Sequence, residues 1–307
     1  FNEIQGEDDF WAPWIKTIQD TTIPNLLDLA EKEGKIGNLR IIAGRQHEGH
    51  IQIHNSPDSD ICKIMEAASY TLAWRDNDTL SKRIDDLIDL YAEVQDDDGY
   101  INQMYMLPRS HPQSPPNAAE HRHGPGKEQR WKGSMEEWPR GIGQLYCAGH
   151  LFEAAAIHYR ATGQRNFLDI AIKKADHIYE QFPPGKPFDY ADHTQAGIGL
   201  VKLFEVTGER KYLELADHIV HRGHHAPPDY GEFESRKPIE EQRKAWGHAV
   251  RINYLYSAAV DLCRYLDNRK PEKLWIASGT ASSTVAYTCT AASVVLPKRS
   301  RWLMTGN

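Results

Sequence analysis

One stretch carries residue types that could do chemistry: Gly143-Gln-Leu-Tyr-Cys-Ala-Gly-His-Leu-Phe-Glu-Ala-Ala-Ala-Ile-His-Tyr159. Leu145, Ala148, Phe152, Ala155 and Tyr159 recur at helical spacing. Leu151, Ala154 and Ile157 widen the apolar surface, so the helix is expected to be buried on more than one side. On that helix Tyr146, His150 and Glu153 share one stripe, at i, i+4 and i+7. Such a stripe costs free energy unless a partner or ligand meets it. A phenol, an imidazole and a carboxylate together suit hydrogen bonding to a polar substrate or proton transfer. A hydrogen-bonded core histidine is the plainer alternative. Other features carry less. His47 and His50 have a ligand-like spacing but neither a helix nor a carboxylate to support a metal site. Cys62, Cys147, Cys263 and Cys289 form no C-x-x-C pair and read as buried free thiols rather than disulfides.

The elements that must position these residues are helical. Asp58-Ser-Asp60 is expected to cap a helix running to Trp74, and a second follows from about Thr79 to Gln95. Pro24 suits the first turn of an earlier helix and Gly34 its stop, after which the pattern is lost around residues 41–56. The segment Thr162-Gly-x-Arg-x-x-Leu168-x-x-Ala171 recurs as Thr207-Gly-x-Arg-x-x-Leu213-x-x-Ala216, and Asp76–Leu80 is a weaker copy. Each period is a helical hairpin closed by a short turn, so the chain is all-α: a solenoid or a closed α/α toroid. His193 and Trp246 open two more helices. Residues 108–139 and 221–243 read as long loops, and loops of that length are often functional. From Lys273 to Asn307 there is no Asp or Glu and the helical period stops. The expected organisation is an N-terminal helical segment (1–40), a barrel domain (41–275) and an atypical tail (276–307).

The chain has 307 residues, 40% apolar, and a net charge of −7 spread along its length. That balance argues against nucleic acid and against an anionic membrane surface. No apolar run approaches a membrane span. Phe1 opens the chain with no leader pattern, so the compartment and the oligomeric state are not legible.

A family resemblance rests on six segments in order. They are Phe10-Trp-Ala-Pro-Trp14, Asp58-x-Asp-Ile-x-Lys63-x-x-Glu66-Ala, and Gln95-x-x-Asp98-Gly-Tyr100. Next come Leu145-Tyr-Cys-Ala-Gly-His150-Leu, His193 ahead of Val201-x-Leu-x-x-x-Thr-Gly208, and Gly247-His-Ala-Val-Arg251-x-x-Tyr-Leu-Tyr256. Over about residues 8–275 the chain resembles the β-L-arabinofuranosidases of glycoside hydrolase family 127. The resemblance implies an (α/α)6-barrel, or the larger part of one, followed in the family by β-sandwich domains. It implies an oligosaccharide or polysaccharide substrate of the pectin type and a bacterial periplasmic or cytoplasmic setting. It further implies a cysteine nucleophile held by zinc and a glutamate acid/base. His150, His193 and His248 best match the family's sugar-pocket histidines, and Asp60, Asp98 and Tyr100 are further substrate-binding candidates. For Asp98, a turn role beside Gly99 stands as the alternative. Two departures are visible. Gly143-Gln144 replaces a common His-Glu, which would reshape the pocket. Beyond Trp275, where the zinc ligands and the acid are expected, the chain offers only Ala286-Tyr-Thr-Cys289 and no carboxylate. Catalytic residues are therefore not assigned, and no metal ligands are identified. Two other functions remain open. One is a two-carboxylate α/α-barrel glycosidase drawing on Asp60, Glu66, Asp98 and Glu153, with spacings of about 5–5.5 or 6.5–9.5 Å. The other is a sugar-binding or helical-repeat interaction module without turnover.

Overall fold

The computed structural model describes residues 9–47, 56–107, 143–186, 193–221, 239–242 and 247–266. Among these the chain is helical and contains no strand. The expected loops and the tail fall largely or wholly outside them, as does His50.

Helix α1 (Trp11–Thr17) runs through a π-helical turn (Ile18–Thr22) into α2 (Ile23–Lys32), with Pro24 in the first turn of α2. Gly34, at φ 81°, stops α2. Only glycine takes that conformation without strain. The chain then re-enters a helix, α3 (Lys35–Ile42), which the sequence pattern did not indicate. Gly37 and Asn38 are weak helix formers. Tertiary contact compensates: Asn38 is fully buried and its Nδ2 donates to Gln103 Oε1 at 3.0 Å.

Three hairpins follow: α4 (Pro57–Trp74) with α5 (Asp78–Val94), α7 (Gln144–Thr162) with α8 (Asn166–Gln181), and α9 (Gln195–Thr207) with α10 (Arg210–His221). Helix α6 (Gln103–Met106) is a single turn, and α11 (Ala249–Cys263) comes last. The internal repeat is visible atom by atom in the turns. Thr162 Oγ1 donates to His158 O at 2.8 Å and accepts from Gln164 N at 3.1 Å. Thr207 Oγ1 donates to Leu203 O at 2.8 Å and accepts from Glu209 N at 3.2 Å. Gly163 and Gly208 follow at φ 73° and 76°, ending each first helix in the left-handed region.

One expected cap is corrected. Helix α4 has no side-chain cap at Ser56. Asp58 is instead buried, and its Oδ2 accepts from Gln103 N at 3.0 Å. It thus satisfies the first free amide of α6 rather than its own helix. Asn77 caps α5, accepting from Leu80 N at 3.0 Å.

Packing arranges the helices in two layers. Helices α4, α7, α9 and α11 form a continuous inner row, each against the next. Helices α5, α8 and α10 form the outer row, each closing on its hairpin partner. This alternation is the (α/α)6-barrel-type arrangement. The α7–α9 seam is a close backbone-to-backbone contact. A Cβ on Gly199 would lie 2.4 Å from Gly149 O, and one on Gly149 would lie 2.6 Å from the Gln195 carbonyl carbon. Leu145, Phe152, Phe167, Leu200 and Leu213 fill the space between the rows at 1% exposure or less. Each such side chain contributes about 1.5–3 kcal/mol through burial. The N-terminal rod is tied to the end of α4 through buried Gln19, whose Nε2 donates to Thr71 O and Arg75 O at 3.2 and 2.7 Å.

Candidate active site

The inner helices bring their N-terminal halves to one end of the row, and the polar residues gather there. Helix α7 supplies Tyr146, His150 and Glu153, and α4 supplies Lys63 and Glu66, one turn apart. The start of α9 supplies Gln195, with His193 just ahead of it, and α11 supplies Tyr254. Four rings pack together. Tyr146 lies 4.7 Å from both His150 and His193, and Tyr254 lies 5.0 Å from His193 and 5.9 Å from His150, by ring centroids. His150 and His193 are buried, while Tyr146 and Tyr254 are half-buried. Lys63 Nζ donates to the Tyr146 hydroxyl at 2.6 Å. It approaches the oxygen end of that ring rather than its face, since Nζ is 4.7 Å from the centroid.

Behind the rings lies a carboxylate pair. One ligand atom each from Glu66, His150 and Glu153 falls within 4.8 Å of the others. His150 Nδ1 is 3.5 Å from Glu153 Oε2 and 3.4 Å from Gln195 Nε2, which also donates to Glu153. The Gln195 amide and the Glu153 carboxylate thus both face Nδ1 of the ring. Nε2 of the same ring faces the Tyr254 hydroxyl at 3.5 Å.

Burial sets the protonation here. It depresses the His150 pKa to about 3, helped by the positive charge of Lys63, so the imidazole is neutral. It raises Glu153 to about 8, with Glu66 adding like-charge repulsion. Glu66 is itself pushed upward by burial. Burial also pushes the Tyr254 hydroxyl up to about 12 and raises that of Tyr146. At neutral pH His150 and the two phenols therefore present uncharged donors and acceptors, which is how small polar ligands such as sugars are held. One oxygen of Glu66 lies within 4.8 Å of one of Glu153, well short of the about 6.5–9.5 Å of inverting pairs and close to the roughly 5–5.5 Å of retaining ones.

Not every candidate residue joins this cluster. His150 and His193 meet through Tyr146 and Tyr254. His248 is exposed at the N-cap of α11. Asp60 pairs with Lys35 Nζ at 3.0 Å, its side chain 42% exposed. Asp98 sits in the turn after α5, where its Oδ1 accepts from Tyr100 N at 3.1 Å beside Gly99 at φ 83°. That is the geometry of the turn alternative. Tyr100 is fully buried, and its hydroxyl donates to Gln144 Oε1 at 2.8 Å. Gln195 and Tyr254 were not among the candidates. Gln195 gave one signal, its place two residues after His193. Its approach to His150 depends on the Gly149–Gly199 seam.

Comparisons with known proteins identify the family of this fold. The family description that matches, over residues 3–282, is the beta-L-arabinofuranosidase GH127 catalytic domain. A non-reducing end beta-L-arabinofuranosidase of Bifidobacterium longum subsp. longum is 27% identical over an alignment covering 81% of this chain and 39% of that protein. The crystal structure of a GH127 beta-L-arabinofuranosidase from Geobacillus stearothermophilus T6 superposes with a TM-score of 0.72 at 30% identity, covering 88% of this chain and 43% of the other. A second GH127 beta-arabinofuranosidase structure gives 0.70 at 32% identity, with 85% and 39% covered. The chain thus spans about two-fifths of the length of these relatives. By sequence and by fold, it belongs to the GH127 beta-L-arabinofuranosidase catalytic-domain family.

Proposed function

We propose that this chain forms the sugar-holding part of a glycoside hydrolase active site whose substrate carries a terminal β-L-arabinofuranoside, within a plant-type oligosaccharide or polysaccharide. The observation that carries the reading is the cluster of Tyr146, His150, His193 and Tyr254 at one end of the inner helices. The imidazoles and phenols match the alternating donors and acceptors of a furanose, and the ring faces cover its C–H surface. His248, at the same end of α11, is proposed as a further contact at the mouth. Asp98 and Tyr100 are assigned to turn geometry and packing instead, while Asp60, paired with Lys35 and acting electrostatically on Tyr146, is proposed to lie at the margin of the pocket.

The family resemblance implies zinc bound through cysteine thiolates, which would activate a thiolate nucleophile. The described residues do not fit that set. Cys62 and Cys147 are buried, and Cys62 contacts Tyr91 Oη at 3.8 Å. Burial raises the Cys62 thiol far above its ordinary range, the opposite of what a ligand or nucleophile needs. Among the described residues the group with metal-ligand reach contains no sulfur. No step is therefore derived through a thiolate-bound metal, and the role assigned to these residues is to bind and orient the sugar and exclude water.

Calorimetric titration of the 307-residue chain with methyl β-L-arabinofuranoside tests this. Binding is expected, at least tenfold tighter than for methyl α-L-arabinofuranoside, and weakened by His193→Ala. Equal affinity for both anomers, or a His193→Ala variant that binds like the parent, would sink the proposal.

A further inference from the structure

The carboxylate pair behind the rings is not needed to hold a sugar, yet it is built at some cost. Glu66, His150 and Glu153 come from two helices, and their ligand atoms converge within 4.8 Å on the inner side of α7. Two like-charged carboxylates at this range oppose one another when both are ionised. His150 turns Nδ1, not Nε2, toward them. Its separation of 3.5 Å from Glu153 Oε2 is the spacing of two donors around one ion, since ligands about 2.1 Å from a tetrahedral or octahedral centre lie about 3.0–3.5 Å apart.

A second observation comes from the facing helix. Gln195 is fully buried, and its side-chain amide lies against both His150 and Glu153, yet its Oε1 has no hydrogen-bond partner. A buried carbonyl oxygen left unpaired is costly. Rotating the amide by half a turn exchanges Nε2 with Oε1 and leaves the shape of the side chain unchanged. The orphan oxygen would then face His150 Nδ1 and Glu153 and could serve as a further oxygen donor to a cation held between them.

We propose that Glu66, His150, Glu153 and the amide oxygen of Gln195 form a binding site for a divalent transition-metal cation such as Zn2+ or Co2+. The donor set is oxygen and nitrogen only, and such imidazole–carboxylate sets suit these ions. The site is separate from any thiolate-bound metal and does not depend on the sugar-binding proposal. Bound there, the ion would fix His150 through Nδ1 and leave its Nε2 toward Tyr254 and the pocket. Lys202 does not occupy the position. Its Nζ pairs with Glu205 at 3.5 Å and Asp261 at 4.0 Å, while its charge acts on Glu66 and Glu153 from a distance.

The test uses the full chain, stripped with chelator and titrated with Co2+ while its visible spectrum and thermal unfolding are followed. One equivalent should bind, giving weak ligand-field bands without a thiolate-to-cobalt charge-transfer band, and should raise the unfolding temperature. Glu66→Gln, which keeps the shape of a half-buried side chain, should weaken binding at least tenfold. Glu153→Gln should do the same, and both variants should keep the parent's far-ultraviolet circular dichroism. No Co2+ binding by the parent would overturn the proposal. So would a charge-transfer band from sulfur, or undiminished binding in both folded variants.

Discussion

Two polar clusters lie inside this helical protein, and they differ in what satisfies them. The first is the pocket: Tyr146, His150, His193 and Tyr254, backed by Glu66, Glu153 and Gln195. The second is a node between α4, α6, α7 and α8, where Asp58 accepts from the Gln103 amide and Asn38 bonds the Gln103 side chain. There Tyr100 bonds Gln144, and Lys174 Nζ lies 4.3 Å from the centre of the Tyr100 ring. In the node, polar side chains are spent on backbone amides and on one another, so they join elements that the chain would otherwise leave apart. In the pocket, two of the four rings stay half-buried and the donors point at each other's edges. Polar residues on a buried helix therefore do not by themselves mark a site. Nor do unpaired atoms, since Asp58 Oδ1 and Gln103 Nε2 in the node lack hydrogen-bond partners as Gln195 Oε1 does; openness to solvent is what sets the pocket apart.

The largest effect separating the two should come from Lys174→Met. Lys174 is 1% exposed, and its charge acts on Asp58. Removing it takes a favourable charge away from a buried carboxyl, which should cost about 1.5–3 kcal/mol in urea unfolding. Arabinofuranoside affinity of the folded protein should not change. If affinity fell without a loss of stability, the two clusters would not be separable.

His193→Ala is the reciprocal change. Loss of its hydrogen bonds and ring contacts should weaken sugar binding by about 10–100-fold, which is about 1.4–2.8 kcal/mol. Its unfolding free energy should move by less than the Lys174→Met value. The same calorimetric and urea experiments decide this.

A pH profile sharpens the contrast further. Burial raises Asp58 from its ordinary 3.8 to about 6. Between those values the folded state holds the proton more tightly than the unfolded one, so stability from this group is full below about 3.8 and falls as pH rises through 6. Asp58→Asn keeps the acceptor for Gln103 N and should flatten that decline in unfolding measurements. An unchanged slope would remove Asp58 as its source.

The smallest effect is expected at Asp98. Its side chain is 36% exposed and serves the turn at Gly99. Asp98→Ala should cost about 1 kcal/mol or less and leave sugar binding intact. A tenfold loss of binding would instead return Asp98 to the pocket.

Much of the fold was legible in the sequence because it is local. The Thr-Gly turns at 162–163 and 207–208 fix where the first helices end, since the threonine hydroxyl and the glycine φ act within four residues. The stripe of Tyr146, His150 and Glu153 follows from helical geometry alone. Family motifs also placed His193 near the site. What the sequence left undetermined depends on contacts between distant segments. Asp58 reads as a local cap, but Gln103, 45 residues away, claims its carboxylate. Asp98 and Tyr100 sit in a family motif, but the turn and Gln144 absorb them. Helix α3 forms despite Gly37 and Asn38 because Gln103 pairs the buried amide. The meeting of Glu66, Gln195 and Tyr254 with the α7 stripe was likewise decided only by tertiary structure. Two glycines with no Cβ let α7 and α9 touch backbone to backbone, and that approach sets which side chains share a site.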